Sequence, residues 1–493
     1  MESEYRPINS CDKKSDTSSW TPLFRQILVF LVSWTAFFTT GLSLGTPTVA
    51  VPYLRKEANS TAAVSDEMAS WLPSMPGFVA SFCGIIMIAI AHFMGRKFTM
   101  ALLAINIFIC STLTYFSKTV LHLFVSQIII GPIFSSLTSV MLLILTEYSS
   151  PKYRGIFSTI KAAMLYWGVW VANAIGLFTH YKYIGLVGIF CSIYCLIIIF
   201  IIPESPYWLA FRRRYDECAV AHRWLKGTGE DAEKELEILI KTQKENVKNE
   251  DSVKSLRKYL VNCFRAIKQP DIYKPLILSF LVTSINKFSG KMVFAVYAVE
   301  MMKKSTKNQS SVLNGVLIID GFTVFAMYVG AGLSKILKRR TLLLSTSITS
   351  TVLLFIMSFY LYLIKYAVIP ENDNIIIAML IVYSVAICCG PMILATTISS
   401  ELLPINNRSF CVFIYSLVTL AMFSTVVKVS PYLFNSIGFC GIDLVFGICS
   451  TIIIILVYKY VPETKDRTLQ EIADMFKPKG SMDATQSKLL RSR

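Results

Sequence analysis

The segment Pro203–Leu209, PESPYWL, ends one long apolar run, and a near copy, Pro462–Leu469 (PETKDRTL), ends another about 260 residues later. Two similar ends predict two similar halves, and six apolar runs precede each of them. Internal similarity of this kind is the signature of a duplicated architecture. We therefore predict that the chain consists of two related halves.

The composition places the chain in a lipid bilayer. Of its residues 54% are hydrophobic and only 16% are charged, with a mean hydropathy of +0.56, whereas soluble proteins are about 25% charged. A helix needs about 20 apolar residues to cross the roughly 30 Å of hydrocarbon. The sequence predicts twelve spans, at residues 24–46, 71–94, 98–116, 121–146, 156–178, 183–202, 275–301, 312–334, 341–364, 375–399, 410–434 and 440–461.

These spans predict an all-α membrane protein with twelve transmembrane helices in two six-helix halves. Residues 24–202 would form the N-terminal bundle and residues 275–461 the C-terminal bundle. A hydrophilic loop at 203–274 mixes acidic and basic residues with leucine and isoleucine, which is typical of amphipathic helices. Polar tails are expected at 1–23 and 462–493.

The distribution of charge predicts how the chain is oriented. The net charge of +17 could suggest a nucleic-acid partner, but the basic residues concentrate in alternate loops, which is the positive-inside pattern. We therefore expect no nucleic acid, a multi-pass plasma-membrane protein, and both termini in the cytosol. The sequons at Asn59 and Asn308 then lie outside and are predicted glycosylation sites, while Asn407 lies in the cytosol and stays unmodified.

The twelve cysteines lie mainly within the spans and lack the spacing of metal ligands. We expect no metal, no cofactor and no disulfide framework. No nucleophile and base stand in a catalytic pattern, so an enzyme is not expected. The expected partners are a small-molecule solute and membrane lipid, with the chain acting as a monomer.

A second repeated element follows spans 4 and 10. Glu147 and Arg154 flank a proline-containing turn after span 4, and Glu401 and Arg408 do the same after span 10. Six spans separate the two copies, so both share one orientation, as parallel repeats require.

Together with Gly95-Arg96-Lys97 after span 2 and VPETKDRTLQEI at Val461–Ile472, these motifs identify a family resemblance over residues 20–475. The chain resembles the sugar porters of the major facilitator superfamily, most of all insect facilitated trehalose transporters and animal glucose transporters. The resemblance implies two lobes that rock around a polar cavity at mid-membrane, which opens to each face in turn. It also implies facilitative transport of trehalose or of a hexose such as glucose.

The resemblance further implies a gate on the cytosolic face. Arginines at helix ends would pair there with glutamates and hold the inner side shut, and the alternative is that these charges only anchor the helices at the interface. The residues concerned are Arg96, Arg154, Arg339, Arg408, Glu147, Glu204, Glu401 and Glu463.

The predicted cavity departs from that of the family. Where sugar porters read Gln-Gln-x-Ser-Gly-x-Asn in span 7, this chain reads NKFSGKM at Asn286–Met292. Gln127 stands at the position of the span 4 arginine, and the tryptophan of span 10 is missing near Thr396. A buried hydroxyl without a hydrogen-bond partner costs about 1 to 3 kcal/mol. The loss of several amides should therefore lower the affinity for hexoses. The sequence therefore leaves open a rebuilt sugar site, a carrier for another polar or anionic solute, or a sensor that binds without transport.

Charged residues inside the spans are further candidates. Lys287 in span 7 and Asp320 in span 8 fall at nearly the same predicted depth, so we predict that they pair at the cavity wall. Snorkelling of one of them to the interface is the alternative. With Lys161, Lys287 could also make the cavity basic, which suits an anionic solute. Span 1 has no carboxylate at mid-depth, where proton-coupled members of the family it resembles usually place one, so the resemblance implies facilitated diffusion rather than proton symport.

The remaining candidates are weaker. Tyr297 is predicted to face the cavity or else to pack between helices, and Ser289 and Thr396 to bind solute or else their own backbone. Gly390-Pro391 should break span 10 as a hinge or as a static kink. The predicted solute-binding set is Lys287, Ser289, Gly290, Tyr297, Asp320 and Thr396.

Overall fold

The computed structural model describes residues 21–58, 64–250, 269–297, 309–370, 372–403, 408–465 and 475–476. Regular structure in these ranges is α-helical. Ten of the helices are long and apolar enough to cross a membrane. One of these ten, Arg408–Tyr460, contains two spans joined at Gly438, where φ is 74°. Adding the broken helix of span 7 gives the twelve spans that the sequence predicts.

The N-terminal half contains spans 1 to 6. Span 4 is interrupted twice, at Ile130 and Ser139, so that it consists of three short helices. Pro151 begins span 5, where the missing N–H of proline costs no helical hydrogen bond. The six spans are Thr21–Glu57, Asp66–Met94, Arg96–Tyr115, Val120–Ile129 with Gly131–Thr138 and Val140–Tyr148, Pro151–Phe178, and Lys182–Ile201.

The C-terminal half contains spans 7 to 12. Spans 7 and 10 are each interrupted near mid-depth, at Ser289-Gly290 and at Gly390. The six spans are Pro270–Phe288 with 291–297, Gln309–Ile336, Arg339–Lys365, Asp373–Cys389 with Pro391–Leu402, and the two parts of Arg408–Tyr460 on either side of Gly438.

The described part of the hydrophilic segment between the halves contains the helices Pro206–Phe211, Tyr215–Lys226 and Glu230–Glu250. Their apolar residues form a small core of their own around Trp208 and Leu236. Trp208 also donates its indole N–H to the backbone carbonyl of His92, at 2.8 Å, which fixes the first helix beneath span 2.

Two glycines allow spans 1 and 5 to pack closely. A Cβ atom at Gly41 would lie 1.9 Å from the carbonyl oxygen of Leu165, and one at Gly168 would lie 2.0 Å from that of Phe38. No side chain fits at these distances, so glycine is required at both positions. The contact fixes span 5 against span 1 and thereby positions the side chains that span 5 presents to the other half.

The two halves meet along an apolar core at mid-depth. This core contains residues from both halves, including Tyr166, Met392 and Phe423. Phe134 of span 4 stacks on Phe423 of span 11, with 5.7 Å between the ring centroids. The candidate site lies beside this core.

Candidate solute site and gates

The broken helix of span 7 is the centre of the candidate site. We call the face reached by the loops after spans 2, 4, 8 and 10 the inner face, and the opposite one the outer face. The helix ends at Phe288, and Gly290 has φ +82°. A Cβ atom at Gly290 would lie 2.7 Å from the ring of Phe446. Tyr383 of span 10 donates its hydroxyl to the carbonyl oxygen of Ser289 at 2.5 Å, so the break is held in place from a neighbouring span.

A buried lysine follows the break. Lys291 is only 2% exposed, and its Nζ donates to Thr323 Oγ1 at 2.9 Å and to Ser384 Oγ at 3.0 Å. These bonds join spans 7, 8 and 10 inside the C-terminal half. Lys291 was not among the predicted solute residues, although a lysine four positions after Lys287 in an apolar span was the available signal.

Asp320 joins the two halves. It is buried, and its Oδ2 accepts a hydrogen bond from Asn173 Nδ2 of span 5 at 2.7 Å. The cation whose charge acts on it is Lys291. Asn173 was not predicted either, because a single amide in an apolar span carries no pattern.

The predicted ion pair between Lys287 and Asp320 is wrong. The Nζ atom of Lys287 lies over the ring of Phe423, 5.4 Å from its centroid. The prediction counted depth along an unbroken helix, but the backbone leaves the helical path at Ser289-Gly290. Lys291, beyond the break, therefore takes the place near Asp320 that the prediction gave to Lys287.

Span 5 contributes a second lysine that lies over an aromatic ring. The Nζ atom of Lys161 is 5.3 Å from the ring centroid of Phe37 in span 1. Like Lys287, Lys161 is half-buried. Both lysines therefore bring positive charge into the membrane-spanning part of the chain.

The three predicted hydroxyl residues bind protein groups in this structure. Ser289 donates to the carbonyl oxygen of Asn286 at 2.9 Å, and Thr396 donates to that of Ile393 at 3.1 Å. Tyr297 donates to the carbonyl oxygen of Val427 at 3.2 Å, and its buried ring packs against Phe434. Of the three, only Thr396 is exposed.

Span 10 breaks where Gly390-Pro391 predicted. The helix ends at Cys389 and a new one begins at Pro391. A Cβ atom at Gly390 would lie 1.8 Å from Thr346 Oγ1. Span 9 therefore packs directly against the break.

Hydrogen bonds join the two halves from mid-depth to the outer end. Tyr166 of span 5 contacts the sulfur of Met392 at 3.4 Å. Nearer the outer face, the bonds are Thr48 Oγ1 to Val296 O at 2.6 Å, Trp170 Nε1 to Leu317 O at 3.2 Å, and Lys428 Nζ to Ser70 Oγ at 2.6 Å. We call these three bonds, together with the bond from Asn173 to Asp320, the outer seam. Near the inner face the halves also touch, since Leu142 packs against the apolar cluster around Leu276 and Leu403.

An ion pair lies at the inner end of the N-terminal half. Arg96 begins span 3, and Glu147 stands near the end of span 4. The guanidinium binds both carboxylate oxygens, with the shortest contact at 2.6 Å. Ser205 donates its hydroxyl to Glu147 at 2.5 Å. This buried carboxylate therefore ties together spans 3 and 4 and the segment after span 6.

Glu204 binds the start of span 3 through its backbone. Its carboxylate accepts hydrogen bonds from the N–H groups of Arg96 at 2.8 Å, Lys97 at 3.1 Å and Ser205 at 2.8 Å. Such acceptors satisfy N–H groups that a helix leaves unpaired at its N-terminus. Burial raises the pKa of Glu204, although the three N–H groups oppose that shift.

The C-terminal half repeats this arrangement. Arg339, which begins span 9, forms an ion pair with Glu401 near the end of span 10. Glu463 accepts from the backbone N–H groups of Arg340 at 3.1 Å and Lys465 at 3.0 Å. The repeated motifs of the sequence therefore form the same bonds twice.

The structure corrects the predicted inner gate in two respects. Glu204 and Glu463 accept from backbone N–H groups rather than pairing with guanidinium groups. The two ion pairs each join helices of one half and so do not by themselves hold the halves together. The side chains of Arg154 and Arg408, like Asn59 and Asn308, lie outside the described residues.

A neutral pair occupies the N-terminal half between spans 1 and 4. Ser43 Oγ donates to Gln127 Oε1 at 3.2 Å, and both side chains are buried.

Within the described ranges, no group of three or more His, Cys, Asp or Glu side chains could hold a metal ion.

The chain matches the family described as "Sugar (and other) transporter" over residues 19–476. It is 24% identical over 454 residues to the facilitated trehalose transporter Tret1 of Apis mellifera ligustica, covering 92% of this chain and 88% of that protein. It is also 24% identical over 412 residues to a Tret1-2 homolog of Drosophila sechellia, covering 83% and 82%. Of the Tret1 of Drosophila yakuba, at 23% identity, the chain covers 47%.

The fold is similar to that of solved bacterial transporters. The proton:xylose symporter XylE bound to 6-bromo-6-deoxy-D-glucose superposes with a TM-score of 0.71 at 14% identity, covering 93% of this chain and 100% of that one. An inward-open structure of XylE from E. coli gives a TM-score of 0.70 at 14% identity, covering 92% and 100%. With its repeated inner motifs, its twelve spans and a family match over nearly its whole length, the chain belongs to the family of sugar (and other) transporters, is a membrane transporter, and shares the fold of the major facilitator superfamily symporter XylE.

Proposed function

We propose that the chain carries a sugar, with trehalose or a hexose such as glucose as the first candidates, across the plasma membrane by facilitated diffusion. The insect relatives are facilitated trehalose transporters by name. The observation that carries the proposal is the outer seam, in which the buried bond from Asn173 to Asp320 joins the two halves. A seam of single hydrogen bonds can break and form again as the halves move.

The moving bodies in this proposal are the bundles at 24–202 and 275–461. In the state described here the outer seam is formed. Rocking of one bundle against the other would break it and open the cavity to the outside, as in other transporters built from two repeats. The inner ion pairs keep each bundle rigid during this movement, since each lies within one half.

Uncoupled transport is proposed because the pair between spans 1 and 4 is neutral. Ser43 and Gln127 hold no titratable proton, and they bind each other in the buried part of the N-terminal half. A proton gradient therefore has no carboxylate to act on at this place. Asp320 is bound to Asn173 as part of the seam.

The predicted solute residues take different roles in this proposal. Lys287 and Thr396 face the solute, because one is half-buried and the other exposed. Gly290 lets span 7 break, and Ser289, Tyr297 and Asp320 hold the walls of the site through their bonds to protein groups. We further propose a monomer with cytosolic termini, surrounded by lipid and glycosylated at Asn59 and Asn308.

The test is uptake in cells that lack their own hexose transporters. After surface labelling shows the protein at the plasma membrane, uptake of labelled glucose and trehalose is measured with and without a protonophore. Saturable uptake that the protonophore leaves unchanged supports the proposal. Uptake that requires the proton gradient would contradict facilitated diffusion, and saturable binding without flux would support a sensor instead.

A further inference from the structure

Two lysines from opposite halves lie close in sequence to one contact between the halves. Tyr166 of span 5 contacts the sulfur of Met292 of span 7 at 3.8 Å, across the boundary between the halves. Lys161 and Lys287 each precede their own contact residue by five positions. Spans 5 and 7 both run from the inner to the outer face. Each lysine therefore lies on the inner side of one shared contact, within five residues of it.

Neither lysine has a counter-charge within the described part of the chain. No described carboxylate lies within ion-pair distance of Lys161 or Lys287, and each ammonium lies over the ring of a phenylalanine. An aromatic face attracts a cation but offers no lone pair to its three N–H donors. These two side chains therefore have binding capacity that the described residues do not use.

The buried lysine beyond the break is different. Lys291 donates to Thr323 and Ser384, and the charge of Asp320 acts on it. Asp443 of span 12, a second carboxylate within the described spans of the C-terminal half, is buried and forms no hydrogen bond with the described residues. Neither carboxylate neutralises the two half-buried lysines.

A charge within a membrane span requires a partner or water, and it marks a functional site by default. Resting on the proposed transport function, we propose that the solute is a sugar acid whose carboxylate binds between Lys161 and Lys287. A single carboxylate fits better than a phosphate, because each further charge transferred from water to these aromatic surroundings adds a desolvation cost. Since the lysines come from different halves, such an anion would also draw the halves together at the solute.

The test compares glucose with glucuronate, which differ only in the group at C6. The chain is expressed in oocytes, and uptake of both labelled solutes is measured under voltage clamp. We expect glucuronate to enter faster than glucose and to produce an outward current, because an entering anion carries negative charge inward. Lys161→Gln and Lys287→Gln should each lower the ratio of glucuronate to glucose uptake by about ten- to a hundred-fold, since a hydrogen bond to a charged group is lost.

Two further variants control for folding and for the loss of any positive charge. Lys287→Arg keeps the charge and should keep most of the preference for glucuronate. Lys234→Gln removes an exposed lysine from the helix Glu230–Glu250 and should leave the ratio unchanged. Surface labelling measures how much of each variant reaches the membrane.

The possible failures are distinguishable. Uptake of glucose or trehalose without uptake of glucuronate would overturn the sugar-acid inference and leave the proposed transport function standing. An unchanged uptake ratio in both glutamine variants would overturn the role of the lysines. If none of the three solutes enters although the protein is at the surface, the proposed function fails and the inference fails with it.

Discussion

Removing the amide of Asn173 should shift the chain toward an outward-open state. Its Nδ2 lies 2.7 Å from Asp320 Oδ2, and both side chains are buried where span 5 of one half meets span 8 of the other. A hydrogen bond to a charged group contributes about 1.5 to 3 kcal/mol. If the bond exists only while the outer seam is formed, Asn173→Ala changes the ratio of open to closed molecules by about ten- to a hundred-fold, since roughly 1.4 kcal/mol corresponds to tenfold.

Spin labels on the outer loops can measure this shift. Ala58 after span 1 and Val368 before span 10 are exposed and belong to opposite halves, so the distance between labels at these positions reports the outer opening. Labels attached through unnatural amino acids leave the native cysteines unchanged. We expect the ratio of long to short distances to rise about tenfold or more in Asn173→Ala.

The control is Asn374→Ala, which removes an exposed asparagine near the outer end of span 10. Its distance distribution should match that of the unchanged protein. If Asn173→Ala also leaves the distribution unchanged while the protein remains folded, the bond to Asp320 does not differ between the two states. The outer seam would then not be the part that opens.

Three further predictions concern the inner motifs and the orientation. Glu147→Gln should lower stability by about 3 to 5 kcal/mol, because it removes the buried carboxylate and leaves its half-buried arginine partner without a counter-charge. In a thermal melt of purified protein, the melting temperature should fall further than for Glu204→Gln, whose carboxylate binds backbone N–H groups, and equal losses would contradict this assignment. Burial raises the pKa of Glu204, so the folded protein binds its proton more tightly than the unfolded chain, and the stability contributed by this group falls as pH rises above about 4.5. The melting temperature of Glu204→Gln relative to the unchanged protein should therefore rise between pH 4.5 and pH 7, and a falling difference would refute the sign. Asn59→Gln and Asn308→Gln should each remove one glycan and increase gel mobility, whereas Asn407→Gln should not, and a shift at Asn407 would reverse the proposed orientation.

The number of spans was predictable because a bilayer demands a long apolar run for every crossing. The breaks in spans 7 and 10 were partly predictable, because a glycine stands at each of them. Gly390 is followed by proline and indicated its break directly. Gly290 was predicted to bind solute rather than to break span 7, because its positive φ depends on the packing of Phe446 and Tyr383, which are distant in sequence.

The polar contacts of the site were less predictable because they depend on the directions of side chains. Lys287 and Asp320 matched in depth, yet the break in span 7 separates them, and Lys291 lies near the aspartate instead. At the inner face the sequence motifs predicted a group of charged residues, and two pairs of that group, Arg96 with Glu147 and Arg339 with Glu401, form ion pairs. It did not indicate that Glu204 binds backbone N–H groups, because the N–H groups of every helix start look the same in a sequence.

Counterflow in liposomes tests most directly whether the chain is a sugar carrier. Purified protein is reconstituted into vesicles loaded with unlabelled glucose, trehalose or glucuronate, and the same solute is added outside in labelled form without any proton gradient. An alternating-access carrier predicts a transient accumulation of label above the outside concentration for at least one of these solutes. If no solute accumulates while saturable binding of one of them persists, the chain binds its solute without carrying it, and the proposed function is contradicted.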